Sequence, residues 1–163
     1  MSTISKDPKE RAMTEHCIDA CNSLLRGEIS AVETYGQAID KYAEEPEIAI
    51  LIRIQSEHQK ADELLRDNIL EMHGVPQTES GAWGATAKAI QAAANFFGES
   101  SAIRSLQQGE ELGQSAYEAA LDDDQVLPEC KTMIRDQLLP MVNEHITRLE
   151  NLNESASKSA SKR

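Results

Sequence analysis

Aromatic side chains are scarce in this chain: they make up 4% of its 163 residues, with one Trp and two Phe. Residues that favour strands are thin overall, so a sheet-built core is disfavoured. No long apolar run exists either. The longest strongly apolar stretch, Ile48 to Ile52, stops at Arg53, far short of the ~20 residues that cross a bilayer as a helix. Basic residues are few, 16 against 28 acidic, for a net charge of −12. That balance argues against nucleic acid or an anionic membrane as an electrostatic partner. Cysteine is limited to three residues, an odd count that suits a reducing compartment better than a disulfide framework. The polar start, MSTISKDPKE, carries no secretory pattern, so a cytoplasmic location is expected. Phosphate-cradling loops and the G-x-S-x-G elbow are missing too. No residue is therefore nominated as catalytic, and a non-enzymatic role is favoured.

What is present is Ala, Leu, Ile and Met at helical spacing. Helix A is expected from about Met13 to Glu44, with a seam of Ile18, Cys21, Leu25, Glu28, Val32, Tyr35, Ile39 and Tyr42. Helix B follows from about Glu47 to Met72, with Ile48, Leu51, Gln55, His58, Asp62, Leu65, Ile69 and Met72 inward, and Gly74 and Pro76 ending it. Helix C spans about Ser100 to Asp122, through Ile103, Leu106, Glu110, Gly113, Tyr117 and Ala120. Helix D spans about Pro128 to Leu152, through Ile134, Leu138, Met141, His145, Leu149 and Leu152. The A–B and C–D connections are short, which makes each pair an antiparallel hairpin. The long B–C connection is expected to cross the bundle and to carry a short extra helix with Trp83 and an Ala85, Ala89, Ala92, Ala93 face. That face suits packing or a homo-oligomer contact. Residues 1–11 are expected to be a flexible arm, 12–153 the bundle, and 154–163 a disordered Ser/Lys-rich tail. Cys17 and Cys21, one turn apart beside His16, are read as packing, and Cys130 as standing alone.

Four polar residues occupy seam positions where Leu would be ordinary: Glu28, His58, Glu110 and His145, one per helix. A buried carboxylate is costly unless it is paired, hydrogen-bonded or bound to a metal. The chain also repeats itself. GEISAVETYGQAID from Gly27 and GEELGQSAYEAALD from Gly109 share Gly-Glu, then Tyr, Ala and Asp at equal spacing. SEHQKADEL and NEHITRLENL form a weaker second pair around His58 and His145. The two hairpins thus read as diverged copies with matching Glu and His positions. Tyr35 and Tyr117 lie two turns beyond Glu28 and Glu110, placed to hydrogen-bond a carboxylate on a neighbouring helix. Glu57 and Glu144, each about 100° around the helix from a His, are assigned to flanks or solvent.

One Glu on each of helices A and C and one His on each of B and D match the ligand layout of ferritin-like bundles. Gly27, Glu28, Ala31 and Tyr35 are similar to a rubrerythrin frame. LLRGEISAVETY, SEHQKADEL, SGAWGA and GEELGQSAYEAAL together resemble the PA2169-type (DUF2383) family of bacterial four-helix-bundle proteins, over most of Ile18 to Leu152. The resemblance implies an all-α, ferritin-like four-helix bundle and names no activity beyond a loose link to stress physiology. A di-iron site would need a carboxylate three residues before each His, where this chain has Gln55 and Val142. What is left is a ligand set of Glu28, His58, Glu110 and His145, backed by Tyr35, Tyr117, Gln55 and Asp62. This set suits a single Fe, Mn or Zn ion, or a metal-free layer of Glu–His and Tyr–Glu hydrogen bonds. An iron-dependent oxidase or peroxidase and a helical assembly protein are the alternative roles.

Overall fold

The computed structural model describes residues 6–81 and 99–161. The expected extra helix, with Trp83 and the Ala85–Ala93 face, lies outside the described residues, as does the start of the N-terminal arm. Four helices carry the described residues. Helix α1 spans Pro8–Lys41. Its start lies inside the expected arm, because Asp7 caps it by accepting from the Lys9 N–H at 2.9 Å and Pro8 occupies the first turn. Helix α2 spans Ile48–Glu71. It ends where His73 takes a left-handed φ of 62° and the Gly74 N–H reaches back to the Ile69 carbonyl at 2.9 Å. Glycine is required at 74 for close approach: a Cβ there would meet Ile18 Cγ2 at 2.7 Å.

Helix α3 spans Glu99–Asp122. Helix α4 runs as Pro128–Met133, a π-helical turn Ile134–Leu138, and Leu139–Ser161. The π turn answers Pro140, which has no N–H and crowds the carbonyl one turn back. The Leu139 N–H instead bonds the Ile134 carbonyl, five residues earlier. The extra residue turns Val142 inward, at 1% exposure, and leaves Met141 only partly buried, which corrects the expected seam. Helix α4 also continues through the Ser/Lys-rich stretch to Ser161. No Gly or Pro interrupts that stretch, and extending a formed helix is far easier than starting one.

Side-chain contacts set the helix directions. Gln55 meets Val32 and Asn68 meets Cys21, so α1 and α2 are antiparallel. Tyr35 meets Glu110 and Tyr117 meets Glu28, so α1 and α3 are antiparallel. Gln114 meets Asn143 and Asn153 meets Gln107, so α3 and α4 are antiparallel. Helices α2 and α3 therefore point the same way, so the end of α2 and the start of α3 lie at opposite ends of the bundle. Among the described residues α1 packs on α2 and α3, and α4 on α3 and α2.

The core divides into two apolar clusters. One contains Leu25, Ala61, Tyr117 and Val142, and the other Tyr35, Ile54, Leu106 and Leu149. On each helix the polar seam residue falls between a member of one cluster and a member of the other. The four polar residues thus form one layer across the waist of the bundle.

Candidate metal centre

Glu28 on α1 and Glu110 on α3 are each 4% exposed, His58 on α2 is 3% exposed, and His145 on α4 is fully buried. The structure brings all four together. His58 stands between the carboxylates, donating from Nδ1 to Glu28 Oε2 at 2.6 Å and from Nε2 to Glu110 Oε1 at 2.8 Å. His145 presents Nδ1 to Glu110 Oε2 at 3.3 Å and donates from Nε2 to Glu57 Oε2 at 2.7 Å. Tyr35 donates to Glu110 Oε1 at 2.6 Å, and Tyr117 donates to Glu28 Oε1. The tyrosines thus cross over: each phenol serves the carboxylate on the other hairpin, as the internal repeat leads one to expect.

Glu110 is the hub. His58 Nε2 and His145 Nδ1 both face it, and each ring's far nitrogen faces another carboxylate, Glu28 behind His58 and Glu57 behind His145. Burial alone would lower the His58 pKa, but the negative charges of Glu110 and Glu28 carry it well above the usual imidazole value. Burial would raise the Glu110 pKa, but His58 and His145 hold it well below the usual carboxylate range. Tyr35 and Tyr117 are pushed well above the usual phenol value, first by burial and then by the carboxylates they serve. Both therefore stay neutral hydroxyl donors near neutral pH.

Gln55 and Asp62, expected behind the ligands, are not part of the layer. The inward register of α2 is Leu51, Ile54, His58, Ala61, Leu65, Ile69, which puts both residues on its flank. Gln55 donates from Nε2 to the Val32 carbonyl at 3.0 Å. Asp62 accepts from Arg66 Nη2 at 2.9 Å. Glu57 does the reverse: assigned to a flank or solvent, it reaches the layer from the flank of α2. It sits about 100° from His58, but in a four-helix bundle that direction meets the next helix, where His145 receives it. Its pKa is lowered because the hydrogen bonds from His145 and then Arg53 outweigh burial. Glu144 does lie at the surface, 55% exposed beside Arg148.

The donor set fits a divalent cation. One ligand atom each from His58, Glu110 and His145 fall within 4.8 Å of one another, and two imidazoles with one carboxylate suit divalent transition metals. A second, bridged ion is not supported, since Gln55 is committed to Val32 and Val142 is apolar. A cavity of about 70 Å³ adjoins the layer, lined by Glu28, Glu110, Tyr35 and Tyr117 and by the small Gly27, Gly109 and Gly113. It is roomy enough for water. A side chain at Gly113 would meet nothing within 4 Å.

The cysteines also depart from expectation. Cys130 does not stand alone: its Sγ lies 2.9 Å from that of Cys21, and Cys17 is beside both. His16 faces away from them to Asp123, at 2.7 Å.

An antiparallel all-helical bundle with a buried carboxylate–imidazole layer is the class of protein that these features define. The model of one family, a domain of unknown function (DUF2383), matches residues 16–123, and the chain belongs to that family. The matched stretch includes Cys17, Cys21, Glu28, His58 and Glu110 and ends before Cys130 and His145. No curated protein and no solved structure matches the chain.

Proposed function

We propose that this protein is a metal-binding bundle of ferritin-like arrangement that holds one divalent transition-metal ion through His58, Glu110 and His145. The observation that carries this reading is the convergence of two carboxylate–imidazole pairs on Glu110. A metal-binding His usually gives its far N–H to a carboxylate, which sets the tautomer and aims the ring. Glu28 and Glu57 supply that partner to His58 and His145. In this proposal Glu28, assigned as a ligand from the sequence, acts from behind His58. Tyr35 steadies Glu110, and Tyr117 steadies Glu28. Bound iron or manganese supplies redox chemistry at such a site, and zinc supplies Lewis acidity. The chain's own contribution is to bind and orient, beside a cavity roomy enough for water.

A second reading, a metal-free structural layer, is favoured by one observation: every carboxylate oxygen of Glu28 and Glu110 and every ring nitrogen of His58 and His145 already has a partner. Metal analysis separates the two. Protein purified without chelator and loaded anaerobically with Fe²⁺, Mn²⁺ or Zn²⁺ is expected to keep about one equivalent, and to lose it in Glu110→Gln and His145→Gln. A Cys17→Ser/Cys130→Ser background removes any contribution from the thiols. A folded protein that retains no metal after loading overturns the proposal. Glu28→Gln is then expected to be neutral or stabilising, because a buried charge is removed.

A further inference from the structure

The chain has three cysteines, and the fold brings all of them to one point. Cys17 and Cys21 lie one turn apart on α1, and Cys130 comes from the first turn of α4. They are 0%, 0% and 2% exposed, and their Sγ atoms all fall within 4.8 Å of one another. Buried thiols ordinarily pack as small apolar groups with no preference for one another. Here a polar hydrogen is also directed at one of the sulfurs. Asn68 on α2 donates from Nδ2 to Cys21 Sγ at 3.5 Å. N–H groups aimed at sulfur stabilise thiolates and are a recurrent feature around thiolate-bound metals.

We propose that Cys17, Cys21 and Cys130 form a site for one soft monovalent cation, Cu(I), which ties α1 to α4 independently of the Glu–His layer. The donor set selects the ion. All three donors are sulfur, and soft thiolates favour Cu(I). Structural zinc takes four ligands, and no nitrogen or oxygen ligand joins the group among the described residues. The surrounding cluster, which includes Leu24, Leu65 and Ile134, is apolar apart from Asn68 at Cys21. Sulfurs about 2.3 Å from a shared ion stand roughly 4 Å apart, which lies inside the observed spread. The Cys21–Cys130 pair opens by about 1 Å to reach that spacing. Each thiol that binds releases its proton to water, and no electrons are exchanged.

The test is anaerobic titration of the full-length reduced protein with Cu(I) delivered as its bicinchoninate complex. One Cu(I) per chain is expected to leave the chelator, with sulfur-only coordination by X-ray absorption. Cys130→Ser and Cys17→Ser, both checked for native helicity by circular dichroism, are expected to bind on the order of a hundredfold more weakly. Three results overturn the proposal: no transfer from the chelator, nitrogen or oxygen ligation of the copper, or undiminished binding in both Ser variants. Preferential retention of Zn²⁺ by the same thiols overturns the choice of ion.

Discussion

The Glu–His–Tyr layer and the three-thiol cluster lie about two turns of α1 apart, both draw on α1 and α4 and both are buried, yet folding constrains them differently. The layer contains charges, and a charge removed from water is tolerated only when its partners are in place. Glu28, Glu110, His58 and His145 must therefore meet each other and the two tyrosines if the bundle is to form. Thiols are cheap to bury singly, so no term in folding requires Cys130 to meet Cys17 and Cys21. The layer is accordingly built into the stability of the fold, whereas the cluster is an arrangement that stability alone does not explain.

The strongest way to break this contrast is Glu110→Ala. It removes the acceptor of Tyr35 and His58 and the group facing His145, leaving a buried imidazolium with one carboxylate. A loss of about 3–5 kcal/mol is expected in urea unfolding. The pH dependence of the metal-free protein probes the same groups. His58 has a raised pKa when folded, so its contribution is complete below about pH 6.5, the unfolded value, and is lost as pH rises toward the folded value. Glu110 has a lowered pKa, so its contribution is complete above about pH 4.3 and is lost as pH falls. Stability measured across pH should therefore peak between those limits. A maximum in the alkaline range would show that His58 is not held as a cation.

Tyr117→Phe and Tyr35→Phe should each cost about 1.5–3 kcal/mol, since each removes a hydrogen bond to a buried carboxylate. Similar losses are expected because the two contacts are related by the repeat, and thermal melts of both variants check this. Cys130→Ala should cost only about 1 kcal/mol, the contacts of one sulfur. A loss as large as that of Glu110→Ala would erase the distinction between the two regions. Smallest of all, Glu144→Gln should change stability by less than about 0.5 kcal/mol, since its ion pair with Arg148 is exposed. Glu57→Gln should exceed it, because Glu57 holds the far nitrogen of His145.

Much of this was legible in the residues. The four main helices and most of their inward positions followed from periodicity, and Glu28, Glu110, His58 and His145 stood out because each interrupts an apolar seam. Three features were not legible. Pro140 sits inside a good helical pattern, and only the π turn shows how the backbone absorbs it and brings Val142 inward. Gln55 and Asp62 were placed inward because a step of three or four fits either edge of a broad seam. For Glu57, assigned to a flank or solvent, a single helix carries no sign of the neighbour that meets it at that angle.

The sequence by itself determined the broad apolar face of each helix, that the two hairpins repeat, and so that a Glu, a His and a Tyr of each would meet at mid-bundle. Those are properties of period and chemistry within single helices, which local geometry sets almost completely. The tertiary structure decided which ring nitrogen faces which carboxylate, that Glu57 rather than Glu144 joins the layer, and that Cys130 reaches Cys17 and Cys21. These depend on the rotation and offset of one helix against another. That rotation and offset come from packing summed over the whole interface, and no single helix carries a record of them.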